Sequence, residues 1–155
     1  MSNRLKPLLP TLASVEQSRY VEGRKILNNI IQAHEVVHSL TRNRKVGMTM
    51  QLDIGKAYDK MNWTYIRKAL TAFWFDHNWV RWVMALVTSS IFSILVNGSP
   101  SKTFIPSRGL TKGDPLSPFL FILMMEGLDR SIKHAKEVGK IKGLQLFDNR
   151  QAFTH

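Results

Sequence analysis

Apolar side chains recur at helical spacing along much of this chain. Between Tyr20 and Arg42 they step by four and then three positions, which predicts an amphipathic helix. The members of this apolar stripe are Ile26, Ile30, Ala33, Val37 and Leu40, widened by Leu27 and Ile31. A second helix is predicted to begin at Trp63 behind the cap residue Asn62, and a third to cover roughly Asn78–Ser89. The apolar face of the second helix holds Trp63, Ile66, Leu70 and Phe73.

A long helix near the end of the chain is predicted to be buried. Ser117 is a suitable N-cap with Pro118 at the first helical position, and the helix should run to about Lys136. Its first half, which includes Phe119–Met125, is apolar on every side, as is typical of a helix inside a core. A short strand is predicted at Leu144–Phe147.

A hairpin is the clearest strand signal. Two β-rich runs, Ile91–Val96 and Lys102–Ile105, flank Asn97 and Gly98, the pair that favours a type I′ turn. Val46–Leu52 alternates weakly and predicts one further strand, whereas residues 1–18 read as a connection with one helical turn. The element order predicts an α+β fold in which helices pack on a small antiparallel sheet.

Composition narrows the class of partner. The 155 residues fit one domain, and 22 basic against 11 acidic residues give a net charge of +11 that is spread along the chain. Nucleic acid is therefore the expected partner, with anionic membrane as the alternative. No cysteine is present, which excludes disulfides and thiolate zinc sites. The longest apolar run has seven residues and no secretory signal is visible, so we expect no membrane partner and an intracellular site, nucleus or cytoplasm.

Two segments could carry chemistry. Asp53 follows the predicted strand, where a rigidly held carboxylate can bind a hard cation such as Mg²⁺; the alternative is an aspartate that only caps the next turn. The run from Arg108 to Pro118 places Gly109, Gly113 and Lys112 before a helix, a pattern that lets backbone approach an anionic ligand. The alternative is a flexible connection with solvated cations.

Two further patterns favour structural interpretations. His34-Glu35-Val36-Val37-His38 matches a zinc-peptidase motif on a helix, but no third ligand follows at the motif's spacing, so a polar helix face is preferred. Several aromatic side chains near basic residues could stack on bases, but their helical spacing favours a core role. They are Trp63, Trp74, Trp79 and Trp82, with Phe73 and Phe75.

Taken together, these segments resemble the reverse transcriptase domain of non-LTR (LINE-type) retrotransposons, most closely those of plants. The resemblance lies in Leu52-Asp53-Ile54 with Lys56-Ala57-Tyr58-Asp59 and Trp63, in Phe92-Ser93 with Leu95-Val96-Asn97-Gly98-Ser99-Pro100, and in Arg108-Gly109-Leu110 with Gly113-Asp114-Pro115-Leu116-Ser117-Pro118-Phe119-Leu120-Phe121. Upstream, the runs Arg4–Pro10 and Gln17–Ile26 are also similar to the family. The similarity implies fingers-like residues 1–45 and an incomplete palm in residues 46–155.

The resemblance implies a role for each matching residue. Asp53 corresponds to the first metal-binding aspartate of a two-metal, Mg²⁺-dependent site. Tyr58 corresponds to the aromatic residue under the sugar of the incoming deoxynucleotide. The residues expected at the nucleotide are Arg108, Gly109, Gly113 and Ser117, and those expected at the template or other nucleic acid are Arg24, Lys56 and Lys112. The implied partners are an RNA template and a DNA primer.

The sequence also departs from the family pattern. Four residues differ from those that the family usually has at the same positions. They are Gly55 in place of Glu, Lys112 in place of Gln, Asn28 in place of Asp and Trp74 in place of Gly. The family's paired aspartates, which follow a segment like Phe153-Thr154-His155, are not in this sequence. We therefore expect a polymerase fragment that is inactive alone and self-associates through an open strand edge. The alternatives are a non-catalytic nucleic-acid-binding module, a zinc peptidase and a decayed reading frame without a selected role.

Overall fold

The structure is a computed structural model that describes residues 1–42, 47–145 and 152–153. Its helices are α1 (Ser2–Leu5), α2 (Leu9–Leu12), α3 (Ile26–Arg42), α4 (Ala57–Lys60), α5 (Trp63–Ala72), α6 (His77–Thr88) and α7 (Ser117–Glu137), with a 3-10 turn at Lys6–Leu8. Its strands are β1 (Leu95–Val96), β2 (Ser99–Pro100), β3 (Leu144–Gln145) and β4 (Ala152–Phe153). The strands form two small antiparallel sheets, β1–β2 and β3–β4, so the predicted α+β class is confirmed.

The described chain divides into two compact units. The first comprises Met1–Leu5 and Ile54–Met124, and the second comprises Lys6–Asp53 and the described residues from Met125 onward. In the part of the chain that the structure covers, no helix is both long and apolar enough to cross a bilayer.

Helices α5 and α6 form the helical pair of the first unit, and their caps explain where they begin. The Asn62 side chain accepts a hydrogen bond from the Tyr65 amide, which confirms the predicted start of α5. The Asp76 side chain caps α6 by accepting hydrogen bonds from the backbone amides of Asn78 and Trp79. Helix α6 therefore begins at His77, one residue earlier than predicted. Ile66 and Leu70 are completely buried, and each contributes roughly 2 kcal/mol of apolar transfer free energy.

The long helix α7 has the buried first half that its sequence predicts. Leu120, Ile122 and Leu123 are all less than 4% exposed. The helix begins at Ser117, one residue before the predicted first position, and the Ser117 hydroxyl donates to Asp114 Oδ2 at 3.2 Å. The start of α7 is therefore tied to the turn that precedes it.

The predicted hairpin is present with shorter strands than expected. Asn97 and Gly98 have φ of 48° and 80°, as a type I′ turn requires, and Val96 pairs with Ser99. Each strand has only two residues because Pro100 offers no amide to the ladder. Beyond it the pairing continues through Ser101, whose hydroxyl accepts from the Ile94 amide at 3.0 Å.

The N-terminal part of the second unit is more helical than expected, whereas α3 begins later. Residues predicted as a connection form α2 and the 3-10 turn before it, with Pro10 in the first turn of α2, where its missing amide costs no helical hydrogen bond. Helix α3 begins at Ile26 rather than near Tyr20, because Gly23 turns the chain at a φ of 79°.

The apolar stripe predicted for α3 is present on the helix, but most of it is exposed in the described chain. Five of its large side chains are about half exposed, from 47% for Ile31 to 59% for Leu27, whereas Leu40 is half-buried. The covered side of the helix lies next to the stripe: the Asn29 side-chain amide donates to the Glu16 carbonyl at 2.7 Å, and Ser39 is buried. Periodicity identified the helix but not the face that is covered.

The strand predicted at Val46–Leu52 is not formed within the described residues, of which Val46 is not one. Residues 47–52 have no regular secondary structure, and the alternating apolar side chains Met48, Met50 and Leu52 are 67–75% exposed. A strand requires a hydrogen-bonded neighbour, and the described strands pair only with each other. Self-association through an open strand edge stays a prediction. The predicted strand at Leu144–Phe147 is seen as β3, and its last two residues lie outside the described chain.

The aromatic residues were predicted to be core, and for two of them this is wrong. Trp74 is 94% exposed and Trp82 is 51% exposed, whereas Phe75 and Trp79 stack with ring centroids 4.4 Å apart. Trp74 follows the end of α5 with a φ of 60°, and its amide donates to the Thr71 carbonyl. This left-handed position suits glycine, which accounts physically for the glycine that is usual here in the family.

We predict that Trp74→Gly stabilises the chain by about 0.5–1 kcal/mol. Glycine removes the Cβ strain of a left-handed residue, while the exposed indole gives up little burial. Trp74→Ala is the matched control, because it removes the indole but keeps the Cβ, and it should gain less. The measurement is the urea midpoint at constant m-value; a lower midpoint for Trp74→Gly than for the parent contradicts the strain argument.

Candidate nucleotide and nucleic-acid binding site

Two segments 50 residues apart in sequence are joined by backbone hydrogen bonds in the first unit. The Gly109 amide donates to the Met61 carbonyl at 2.8 Å, and the Leu110 amide donates to the Tyr58 carbonyl at 2.9 Å. Leu110 is buried, so the second of these bonds is shielded from water. The turn around α4 and the loop before α7 therefore form one local structure.

Gly109 is at the closest point of this junction. Its carbonyl accepts a hydrogen bond from Trp63 Nε1 at 2.7 Å, and its φ is 102°. A Cβ at this position would lie 3.2 Å from the Asp59 carbonyl oxygen. The position thus requires glycine for two reasons, the left-handed backbone and the close approach of the α4 turn.

Tyr58 has a fixed ring orientation next to this junction. It lies on α4, is half-buried, and stacks on Phe121 of α7 with centroids 5.0 Å apart and planes 13° apart. Lys56, the residue before α4, has a left-handed φ of 55° and leaves its side chain exposed. The aromatic ring is therefore held by two elements, α4 through the backbone and α7 through stacking.

The two carboxylates nearest to this junction both have partners. Asp59 Oδ2 is 3.1 Å from Lys112 Nζ, and Asp114 Oδ2 accepts from the Ser117 hydroxyl. Lys112 and Asp59 have 67% and 48% exposed side chains, so solvent screening limits the pair to a fraction of a kcal/mol, roughly 0.2–1. Lys112 therefore orients the loop more than it stabilises the fold.

Asp53 lies in the second unit and is considered on its own. Its side chain is exposed, and within the described residues no hydrogen bond or ion pair involves it. In the same part of the chain no three His, Cys, Asp or Glu side chains come together in a geometry that could hold a metal ion. One carboxylate offers a ligand to Mg²⁺ but does not fit a complete two-ion centre.

Comparison with known proteins decides the family. A model of the family described as reverse transcriptase (RNA-dependent DNA polymerase) matches residues 1–149. The chain belongs to the reverse transcriptase family. The resemblance to retrotransposon reverse transcriptases drawn from the sequence motifs is thereby confirmed.

Individual relatives support the same assignment. The chain is 43% identical over 61 residues to an uncharacterized mitochondrial protein of Arabidopsis thaliana, covering 39% of this chain and 50% of that protein. It is 36% identical over 103 residues to the Pol polyprotein from the retrotransposable element R2DM of Drosophila melanogaster, covering 66% of this chain and 10% of that protein. It is 29% identical over 126 residues to the transposon TX1 149 kDa protein of Xenopus laevis, covering 81% and 10%. The chain thus spans half or less of the curated relatives it matches.

The remaining predicted residues of this reverse transcriptase chain differ in their surroundings. Arg108 is exposed beside the Gly109 junction. Arg24, in the second unit, donates to the backbone carbonyls of Pro10, Ala13, Ser14 and Gln17. A guanidinium with four carbonyl partners acts as a clamp on this turn, and a contact of Arg24 with the template stays a prediction.

The zinc motif is on a solvent-facing surface of α3. His34, Glu35 and His38 are all exposed, and within the described residues none of them belongs to a group able to hold a metal. The family assignment does not favour a peptidase.

Sequence reasoning missed two residues that position other elements. Glu126 is 5% exposed and accepts a hydrogen bond from the Ser14 amide at 2.8 Å; it is a carboxylate that follows a purely apolar run. Lys133 lies 2.7 Å from Asp129 and 3.5 Å from Glu16. The hydrogen bond to Asp129 is the main cause that raises the pKa of Lys133. The sequence did contain a sign that Glu126 has a structural role, because a charged residue directly after the apolar run of a buried helix needs a partner.

We predict that Gly109→Ala destabilises the chain by about 2–4 kcal/mol, and Gly113→Ala by about 1–2 kcal/mol. Both glycines have a positive φ, but only at Gly109 would the added Cβ meet another segment, since nothing lies within 4 Å of a Cβ at Gly113. The difference between the two variants isolates the close approach. It is measured by urea unfolding, and equal effects would show that the junction is not tightly packed.

Proposed function

We propose that this chain is part of an RNA-directed DNA polymerase and supplies the nucleotide-contacting turn and loop of its polymerising domain. The observation that carries the proposal is the pairing of Gly109 and Leu110 with Met61 and Tyr58, because it unites the two motifs that resemble the family's nucleotide site. In this proposal residues 1–45 belong to the fingers and residues 46–155 to the palm of a longer polypeptide.

The stacked Tyr58 ring is proposed to contact the sugar of the incoming deoxynucleotide. A 2′-hydroxyl adds bulk and a polar group, both unfavourable against a ring that cannot move aside. The stack on Phe121 and the backbone bond at the Tyr58 carbonyl restrict that movement. Phosphate contact is assigned to Arg108, with the Gly109 and Gly113 backbone and the Ser117 end of α7 nearby in sequence.

Template contact is proposed for exposed cations that flank the same turn and loop. Lys56 precedes α4 and Lys112 lies opposite Asp59, so each presents an ammonium group next to the junction. Arg24 is proposed to act on the template through the turn that it clamps. The partners in this proposal are an RNA template and a DNA primer, to which a net charge of +11 is suited.

Mg²⁺ dependence is part of the proposal because it is general in the family, with Asp53 as one oxygen ligand. At the junction itself, the two nearest carboxylates in the described residues are engaged, Asp59 with Lys112 and Asp114 with the Ser117 hydroxyl. Phosphoryl transfer with two ions needs further carboxylate ligands. We therefore assign those ligands to the family's paired aspartates, which are not in this sequence.

A second candidate is binding of nucleic acid without catalysis. It is favoured by the net charge and by the lack, among the described residues, of a group of side chains that could hold a metal ion. It differs from the first candidate in what Asp53 does: binding through cations should survive Asp53→Asn, whereas any nucleotidyl transfer should not.

We predict that the purified 155-residue chain does not extend a DNA primer on an RNA template in Mg²⁺. One metal-binding carboxylate cannot support the two-ion reaction. The measurement is denaturing gel analysis of a labelled primer with all four deoxynucleotides. Primer extension that disappears in Asp53→Asn would contradict the assignment of the other ligands to outside residues.

We predict that the same chain binds an RNA–DNA template–primer duplex and that Arg108→Ala weakens this binding roughly three- to tenfold. Loss of one phosphate contact should also reduce the slope of log affinity against log salt by about one. The control is Arg4→Ala, which removes an exposed arginine of α1. Equal losses in the two variants would show that charge alone, and not the loop, binds the duplex.

A further inference from the structure

The loop between α5 and α6 presents an aromatic surface that the proposed polymerase site does not use. Trp74 in this loop is 94% exposed, more than any other large apolar side chain in the described part of the chain. One exposed apolar side chain is ordinary on a protein surface, so the inference rests on Trp74 together with its backbone and the charged side chains around it. Its left-handed φ of 60° also means that the backbone is strained where this side chain stands.

The indole projects from a rigid base. The Phe75 amide donates to the Leu70 carbonyl, and Leu70 is completely buried at the end of α5. On the other side, the Phe75 ring stacks on Trp79 in the first turn of α6. The loop therefore cannot fold Trp74 back onto the protein without breaking these contacts.

The surroundings of the loop are cationic. Arg67 and Lys68 lie in the last two turns of α5, and Arg81 lies one turn into α6. Measured along the helix axes, Lys68 is about 6 Å from the end of α5 and Arg81 is about 6 Å from the start of α6. All three are exposed, and within the described residues none forms an ion pair. The one carboxylate in residues 63–88 is Asp76, which is engaged as the cap of α6.

We infer that the α5–α6 loop binds single-stranded nucleic acid, with a base stacked on Trp74 and neighbouring phosphates beside Arg67, Lys68 and Arg81. An exposed indole offers a face to any base, and free cations attract the backbone without reading its sequence. The site is independent of the Gly109 junction, so it does not require the proposed polymerase function.

The test measures the affinity of the full chain for a fluorescein-labelled dT₂₀ oligonucleotide by anisotropy. Trp74→Gly should weaken binding about tenfold while leaving the salt slope unchanged, because it removes stacking and no charge. Trp74→Phe should restore most of the affinity. The same Trp74→Gly protein should be more stable than the parent, so a loss of affinity cannot come from unfolding.

Tyr20→Gly is the matched control, because Tyr20 is also an exposed aromatic residue with a left-handed φ, here 59°, in the second unit. It should change stability without changing dT₂₀ affinity. The double variant Arg67→Gln, Lys68→Gln should lower the salt slope by about 1.4, since each phosphate contact on a single strand contributes about 0.7. An unchanged affinity in Trp74→Gly overturns the inference. Binding of Trp74 to a membrane would also overturn it. That result would be a blue shift of tryptophan emission with anionic lipid vesicles but not with dT₂₀, and the shift would be absent in Trp74→Gly.

Discussion

The backbone pairing between the Gly109–Leu110 segment and the Tyr58–Met61 turn is the interaction on which the candidate site depends. Neither segment is a strand or a long helix, so neither has a ladder or core of its own to hold its shape. Two amide-to-carbonyl bonds and the Trp63 indole bond supply that support. Because Leu110 is buried beside them, breaking the pairing would also leave polar groups without partners in an apolar setting.

The departures from the family pattern have local structural consequences. Lys112 stands where the family has an amide, and its charge is matched by Asp59 at 3.1 Å. Trp74 stands where the family has glycine, and the backbone keeps the left-handed conformation that glycine would adopt freely. The first substitution is accommodated by a new ion pair, whereas the second retains strain and exposes an indole.

Sequence reasoning succeeded where the determinant is local. The Asn62 cap, the Asn97-Gly98 turn and the buried first half of α7 depend on residues close together in the chain, and all are found in the structure. It failed where the determinant is a distant partner. The stripe of α3 and the alternating Met48, Met50 and Leu52 have the periods of covered surfaces, but nothing in the described chain covers them. The period of a pattern identifies an element and a face, and only packing shows whether that face is buried.

For the candidate site, too, the sequence predicted local features but not long-range contacts. Motif spacing identified Tyr58, Gly109 and Gly113, but it could not show that the Gly109 carbonyl accepts from Trp63 or that Phe121 stacks on Tyr58. The two partners of the first contact are separated by 46 positions in the sequence, and those of the second by 63 positions. The spacing of residues within a motif carries no information about such distant partners. Arg24 illustrates the converse: the family resemblance implied a nucleic-acid contact, and only the structure shows that its guanidinium donates to four carbonyls.

Amide hydrogen exchange at Gly109 and Leu110 tests the central claim most directly, because these two protons form the junction. We expect both to exchange far more slowly than the amides of Lys112 and Gly113 in the same loop, at rates comparable to the interior of α5. We also expect the Lys112 and Gly113 amides to gain protection when an RNA–DNA template–primer is added. Exchange of Gly109 and Leu110 at the rate of an unstructured loop would contradict the account.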